Sequence, residues 1–338
     1  MSPAPHRIQL GHGSGGRLTH ELIRDLFARR LRNPILDPLG DAALLPEPGG
    51  RLAMTTDSFV VSPLFFPGGD IGQLAVHGTV NDLAVSGARP TYLSLAVILE
   101  EGLPMETLER VVGSLAGAAR EAGVGIVTGD TKVVERGKGD GIFINTTGVG
   151  VLREGFPRSD RAPRTGDALL ASGTVGDHGA VVLASRSEVE LAGGLVSDCA
   201  PVTDLVEALF EAGVVPLFMR DPTRGGLAGV ACDVAEQLGL GLDLEEDAIP
   251  VHPDVMTLCD LVGVDPLHLA CEGRVVALCA AEEAERALSA WRALPAGRSA
   301  ARIGALVADH AGRVTLATRY GGARRLVRPT AEQLPRIC

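Results

Sequence analysis

A chain of 338 residues exceeds the usual single-domain size, so it predicts two domains, each with a core of its own. The net charge of −11 disfavours a nucleic-acid partner, and the apolar runs break before the roughly 18 residues that a membrane span needs. Six cysteines with no CxxC pair predict neither a disulfide framework nor a zinc site, and the opening MSPAPHRIQLGHGSGG lacks a signal-peptide pattern, so a cytoplasmic chain is expected.

In chain order, LTHELIRDLFARRL has helical periodicity, RLAMTTDSFVV reads as a strand, and PMETLERVVGSLAGAAREA is a helix with Pro104 near its start. GVGIVTGDTKVV and GIFINTTGVGVL follow as strands. A polar break rich in Pro and Arg at about 153 to 167 separates two halves and places the boundary between domains 1–155 and 156–328. Beyond it DALLASGTVG and EGRVVALCAA read as strands and AEEAERALSAWRAL as a helix, so the fold class is α+β in two domains. Residues 329–338 have no periodic apolar face and read as a flexible tail.

Short segments that pair backbone freedom with a small polar or acidic side chain recur along the chain: GHGSGG at 11–16, GDAA at 40–43, TTDS at 55–58, NDLAVSGA at 81–88, TGDTK at 128–132 and RDPTRGG at 220–226. Glycine lets main-chain N–H groups approach phosphate oxygens, and the hard carboxylates of Asp41, Asp57, Asp82, Asp130 and Asp221 suit Mg²⁺. Each Asp taken alone reads first as a turn former or helix cap, and it is their recurrence that points to a phosphate site; no segment matches a Walker or Rossmann pattern, so an ATP site, if present, is of another kind. Lys132 follows the TGDT turn, where its ammonium can meet a phosphoryl group or an oxyanion. Glu272, between Cys271 and Gly273, is either a partly buried carboxylate of raised pKa or a surface turn residue. His12 and His77 read as packed residues before phosphate contacts.

Five cysteines sit in or beside apolar runs and read as small buried hydrophobes, whereas Cys338 is the final residue. A terminal thiol without a packing role invites covalent chemistry, and ten extended residues reach about 33 Å.

Together IQLGHGSGG, TDSFVVSPLFFPGGDIG, NDLAVSGA, LEEGLPMETL, VTGDTKVV, SGTVGDHGA, LVSDCA, DPTRGG and the ending PRIC resemble the HypE family of hydrogenase maturation factors, relatives of aminoimidazole ribonucleotide and selenophosphate synthetases. The resemblance implies a PurM-like fold whose N-terminal α/β domain forms a homodimer through a shared β-barrel, with ATP sites near the interface. It implies that HypF carbamoylates Cys338, that ATP-dependent dehydration turns the S-carboxamide into an S-cyanide, and that a HypC–HypD complex receives the cyanide for a [NiFe]-hydrogenase iron. The implied roles are Gly13, Ser14, Gly15, Gly16, Asn81, Thr128, Gly129, Thr223 and Arg224 around the nucleotide, with Asp57, Asp82 and Asp130. Mg²⁺ would sit among Asp41, Asp57, Asp82, Asp130 and Asp221, with Lys132 stabilising charge and Glu272 as base. Two rivals stand beside this: a selenophosphate synthetase-like enzyme, disfavoured because no cysteine precedes Cys199, and a passive thiol carrier, disfavoured by the intact Asp and Lys segments.

Overall fold

The computed structural model describes residues 7–157, 160–187, 193–328 and 336–337. The chain opens with a 3₁₀ turn, Leu10–Gly13, and the short helices α1 (Arg17–Leu22) and α2 (Arg29–Leu31), joined by a wider, π-helical turn at Ile23–Ala28. The first layered unit contains β1 (Leu52–Phe59), a small ribbon of β2 (Phe65–Phe66) and β3 (Gly69–Asp70), α3 (Ile71–Val85), β4 (Ala88–Glu100), α4 (Met105–Glu121), β5 (Gly125–Val134) and β6 (Ile142–Leu152). Asp70 caps α3 by accepting from the amides of Gly72 and Gln73 at 2.7 and 3.2 Å, satisfying donors the first turn leaves open.

The four-stranded sheet has the order β1-β6-β4-β5, with only β4 and β5 parallel. Buried residues alternate along β6, as period-two geometry requires when helices cover one face, and α3 and α4 pack there. The opposite face leaves Leu52, Met54 and Ile98 exposed.

The second unit comprises β7 (Ala168–Ala171), α5 (Asp177–Ser187), α6 (Thr203–Glu211), β8 (Phe218–Arg220), α7 (Gly226–Leu238), β9 (Gly241–Glu245), α8 (Pro253–Val262), β10 (Val276–Cys279), α9 (Ala284–Arg292), β11 (Ala301–Val307), β12 (Val314–Ala317) and β13 (Ala323–Leu326). Its seven strands run β13-β12-β9-β11-β7-β10-β8. The central strands β7 and β10 are buried at every position because both faces are covered: Leu169, Ala171, Val276 and Leu278 face the cluster holding α7, and Ala168, Leu170, Ala277 and Cys279 face that holding α6 and α9.

Asp57 lies within β1 and the Thr128–Lys132 stretch within β5, the strands read from RLAMTTDSFVV and GVGIVTGDTKVV, whereas Asn81 and Asp82, expected in a segment of backbone freedom, lie within α3. Small residues here serve close packing: a Cβ on Gly129 would lie 2.3 Å from the Leu95 carbonyl. The expected tail falls outside the described residues except for Arg336 and Ile337, and these are packed against the body. Ile337 is 4% exposed and joins the hydrophobic cluster shared by the first unit with α5 and α8 of the second, in contrast to a tail without a packing role.

Candidate active site

The seam between the two units gathers four acids. Asp57 points from the inward face of β1, Asp82 from α3, Asp221 from the loop after β8, and Glu272 from the segment before β10. Thr55 Oγ1 donates to Asp82 Oδ2 at 2.7 Å. Asn81, the neighbour of Asp82, fastens the seam: its Nδ2 donates to the carbonyls of Ala200 and Glu272 at 3.0 and 3.1 Å, and its Oδ1 accepts from the Val202 amide at 2.8 Å. The Cys271 amide donates to the Pro222 carbonyl at 2.9 Å, which binds the Asp221–Arg224 turn to the Glu272 segment.

Burial and mutual repulsion act in one direction on these acids. Burial is the larger cause of the rise of Asp57 to about 6, with Asp82 adding repulsion and a hydrogen bond, while Arg224 opposes it. Asp221 is pushed up to about 7 by burial, then by Asp82 and Asp57. Glu272, 2% exposed, is raised well above the ordinary carboxylate range by burial and then by Asp221, Asp198, Asp57 and Asp82. Its Oε1 has no hydrogen-bond partner among the described residues. A surface-turn position for Glu272 is therefore excluded.

A second feature lies along the opposite edge of the first sheet. A cleft of about 360 Å³ is lined by Gly13, Gly15, Gly40 and the Thr128–Lys132 stretch, among others. Gly13 lets the first loop lie against β5, because a Cβ there would be 2.5 Å from the Val133 amide nitrogen. Ser14 turns back to the Gly11 carbonyl at 3.1 Å, and Gly16 precedes α1. Lys132 Nζ pairs with Asp130 Oδ1 at 2.8 Å, and that hydrogen bond is the main reason the Asp130 carboxyl is lowered.

The five carboxylates expected to share a metal are thus not brought together in one chain. Asp57, Thr146, Leu95 and Gly129 form one row across the sheet, so Asp57 and the neighbour of Asp130 sit on opposite edges, about 14 Å apart at three strand spacings. Asp41 is exposed in the bend between Gly40 and Ala42. Thr223 closes the turn before α7, its carbonyl accepting from Gly226 N at 2.8 Å. Among the described residues no three His, Cys, Asp or Glu side chains stand at metal-ligating spacing. The all-oxygen donors Asp57, Asp82 and Asp221, whose negative charge is poorly compensated, nevertheless fit Mg²⁺, which commonly takes one or two carboxylates and completes its shell with phosphates and water.

His12 and His77 are packed residues. His12 Nδ1 accepts from the Gln9 amide at 3.0 Å, and His77, lowered by burial to about 4, stands 3.6 Å from Cys199 Sγ. Asp198 carries structure that the sequence reading did not assign: its Oδ1 accepts from the amides of Glu272 and His178, and its Oδ2 from Gly273. The signal was available, because SDCA and GDHG are small acidic segments of the style recognised elsewhere. Cys338 lies outside the described residues.

Two layered α+β units with their acids at the seam define the class, and sequence profiles agree. Residues 39–152 match "AIR synthase related protein, N-terminal domain" and residues 164–317 match the corresponding C-terminal domain. Carbamoyl dehydratase HypE of Azotobacter vinelandii is 52% identical over 331 residues, spanning 98% of this chain and 97% of that protein. A crystal structure of hydrogenase maturation protein HypE in complex with ATP superposes with a TM-score of 0.93 at 51% identity, covering 97% of this chain and 99% of that one. A chain from a HypE–HypF complex superposes with a TM-score of 0.79 at 46% identity, covering 91% and 99%. The chain belongs to the carbamoyl dehydratase HypE family.

Proposed function

We propose that this protein uses ATP to dehydrate an S-carboxamide on its own Cys338 to an S-cyanide, for delivery as a cyanide ligand during hydrogenase maturation. The observation that carries the reading is Glu272: a buried carboxyl with one unpartnered oxygen, beside a group of acids suited to a nucleotide-bound cation. Membership of the family and the ATP complex of a relative support the nucleotide.

An amide oxygen is a poor leaving group. In the proposed reaction it takes the γ-phosphoryl group of ATP and releases ADP. The amide nitrogen gives up its protons, the C–O bond breaks, and inorganic phosphate departs as the C≡N bond completes, so that the carboxamide loses one water overall. Glu272 is the candidate base for an amide proton. Lys132 is the candidate donor toward the γ-phosphate or the amide oxygen, and Gly13, Ser14, Gly15, Gly16, Thr128 and Gly129 the candidate phosphate cover. Asp57, Asp82 and Asp221 would hold Mg²⁺, which when bound would supply positive charge beside the phosphates and offset part of the acids' mutual repulsion, the cause that adds to burial in raising Glu272.

The separation of Asp57 from the Asp130–Lys132 pair supports a site completed by two copies. Strands β1 and β5, of 8 and 10 residues, are the sheet's edges, and the helix-free face exposes Leu52, Met54 and Ile98. Pairing β1 of one copy with β5 of another would close a barrel, cover that face and bring the two halves of the donor set together. HypF is the proposed carbamoyl donor, by likeness to the relative crystallised with it, and a HypC–HypD complex the proposed acceptor.

Mass spectrometry of the C-terminal peptide, after incubation with the carbamoyl donor system and ATP, tests the reading. The carbamoyl adduct should convert by losing one water. In Glu272→Gln it should persist, with conversion at least about 100-fold slower, the low end of what a general base contributes. Conversion at the wild-type rate by Glu272→Gln would remove Glu272 from the chemistry, and an adduct that never loses water would make the protein a passive carrier. Cys338→Ala should form no adduct and still bind ATP.

A further inference from the structure

The GDHG segment and the main chain just before Cys338 were given no role in the chemistry above, yet they meet. His178, in the first turn of α5, is fully buried, with its ring edge-on to Phe66 at 5.2 Å between centroids. Its Nδ1 is 2.8 Å from Ser197 Oγ and its Nε2 is 2.9 Å from the Ile337 carbonyl oxygen. A carbonyl oxygen only accepts, so Nε2 carries the proton, and Nδ1 then accepts from the Ser197 hydroxyl. Burial disfavours the imidazolium, so the ring is a neutral donor held in one tautomer.

The preceding carbonyl is held as well. Arg336 O accepts from the Ser62 amide at 3.3 Å and from Arg186 Nη2, while Arg186 Nε donates to Ser62 O at 2.6 Å. The Arg336 guanidinium pairs with Asp140 in the β5–β6 connection. Arg336 itself has φ 58°, the left-handed region that a non-glycine residue enters only where its surroundings hold it. Ser62 and Asp140 belong to the first unit, and His178 and Arg186 to α5 of the second. The chain end thus lies across the seam that carries the acids. The same Asp198 oxygen that accepts from the His178 amide at 3.1 Å accepts from the Glu272 amide at 3.2 Å, so the group gripping Ile337 and the candidate base share one anchor.

We propose that His178, with Arg186 and Ser62, forms a positioning site that grips the two main-chain carbonyls preceding Cys338 and commits each chain end to the Glu272 of its own subunit. Recognition through the main chain fixes register by peptide units, whatever the state of the terminal thiol. His178 touches the Ile337 carbonyl and acts on the reaction through it. This rests on the dehydration reading for its consequence, though the grip itself is testable without substrate.

The test uses the full chain. Hydrogen–deuterium exchange of the C-terminal peptide should rise roughly 10-fold in His178→Phe, the loss expected for a buried hydrogen bond, while exchange in β6 stays unchanged. Single-turnover loss of water from carbamoylated Cys338 should slow by about the same factor with ATP affinity unaltered, and His178→Gln, which retains an N–H donor, should recover part of both. Should His178→Phe fail to fold, Ile337→Asp releases the chain end from the other side and should give the same two effects. Wild-type exchange and turnover in Ile337→Asp would overturn the proposal. So would water loss at the wild-type rate in a mixture of Cys338→Ala protein with carbamoylated Glu272→Gln protein, since a chain end committed to its own subunit's residue 272 cannot borrow the partner's Glu272. Absence of water loss in the wild type would instead overturn the dehydration reading, with the exchange measurement still deciding the grip.

Discussion

Replacing Asp221 by Asn should stabilise the metal- and nucleotide-free protein at alkaline pH while removing its response to Mg²⁺·ATP. Asp221 rises from its ordinary 3.8 to about 7 in the folded chain, first through burial and then through Asp82 and Asp57. A carboxyl raised on folding supports the native state below its unfolded pKa, and that support is lost as pH climbs through the folded value. At 1.36 kcal/mol per pH unit, the ceiling for ionised Asp221 at pH 8 is about 4 kcal/mol. Asparagine keeps the shape and part of the burial cost, so a gain of about 2 kcal/mol is the working expectation. For domains of this size that corresponds to roughly 4–8 °C in Tm. Thermal melts in chelator from pH 5 to 8.5 should show the variant ahead at pH 8 and the gap closing toward pH 5, where the wild-type carboxyl is already protonated. Saturating Mg²⁺·ATP should then raise the wild type by about 2.7 kcal/mol at 100 times Kd and leave the variant nearly unmoved. A variant no more stable than the wild type at pH 8, or a gap that does not vary with pH, would show that Asp221 is not destabilised by its neighbours.

Two further outcomes follow from the geometry. Asn81→Ala strips hydrogen bonds from three backbone groups at the seam, and should cost about 2–4 kcal/mol in urea unfolding; a cost under about 1 kcal/mol would mean that Asn81 does not fasten the two units. Gly13→Ala places a methyl 2.5 Å from the Val133 amide nitrogen, forcing the first loop off β5, so ATP affinity should fall at least about 10-fold by calorimetry with circular dichroism unchanged. Unaltered ATP affinity would separate the loop from the nucleotide site.

Asp221 also illustrates how far local pattern carries. RDPTRGG marks a tight, acidic turn, and a turn residue is ordinarily solvated; the packing of the turn against the Cys271–Glu272 segment buries its carboxyl and pushes it up to about 7. Asn81 and Asp82 were legible as candidate site residues but not as helical ones, because an Asn-Asp pair with Ser-Gly a few residues on has the composition of a loop. Thirteen of the fifteen α3 residues are buried, and tertiary burial overrides that preference.

By itself the sequence determined the two-domain α+β division, the interleaved helices and strands, the set of acids and glycines, and the family, since period-two and period-3.6 patterns and long motifs are local properties. Tertiary structure decided which acids meet. Asp57, Asp82, Asp221 and Glu272 converge because α3 and the β8 and β10 connections fold onto one seam, while Asp130 departs to the far edge because a strand order of β1-β6-β4-β5 interposes two strands. It also decided the chain end: nothing in PRIC announces that Ile337 is buried and its carbonyl held by His178, residues separated by 159 positions and joined only by the fold.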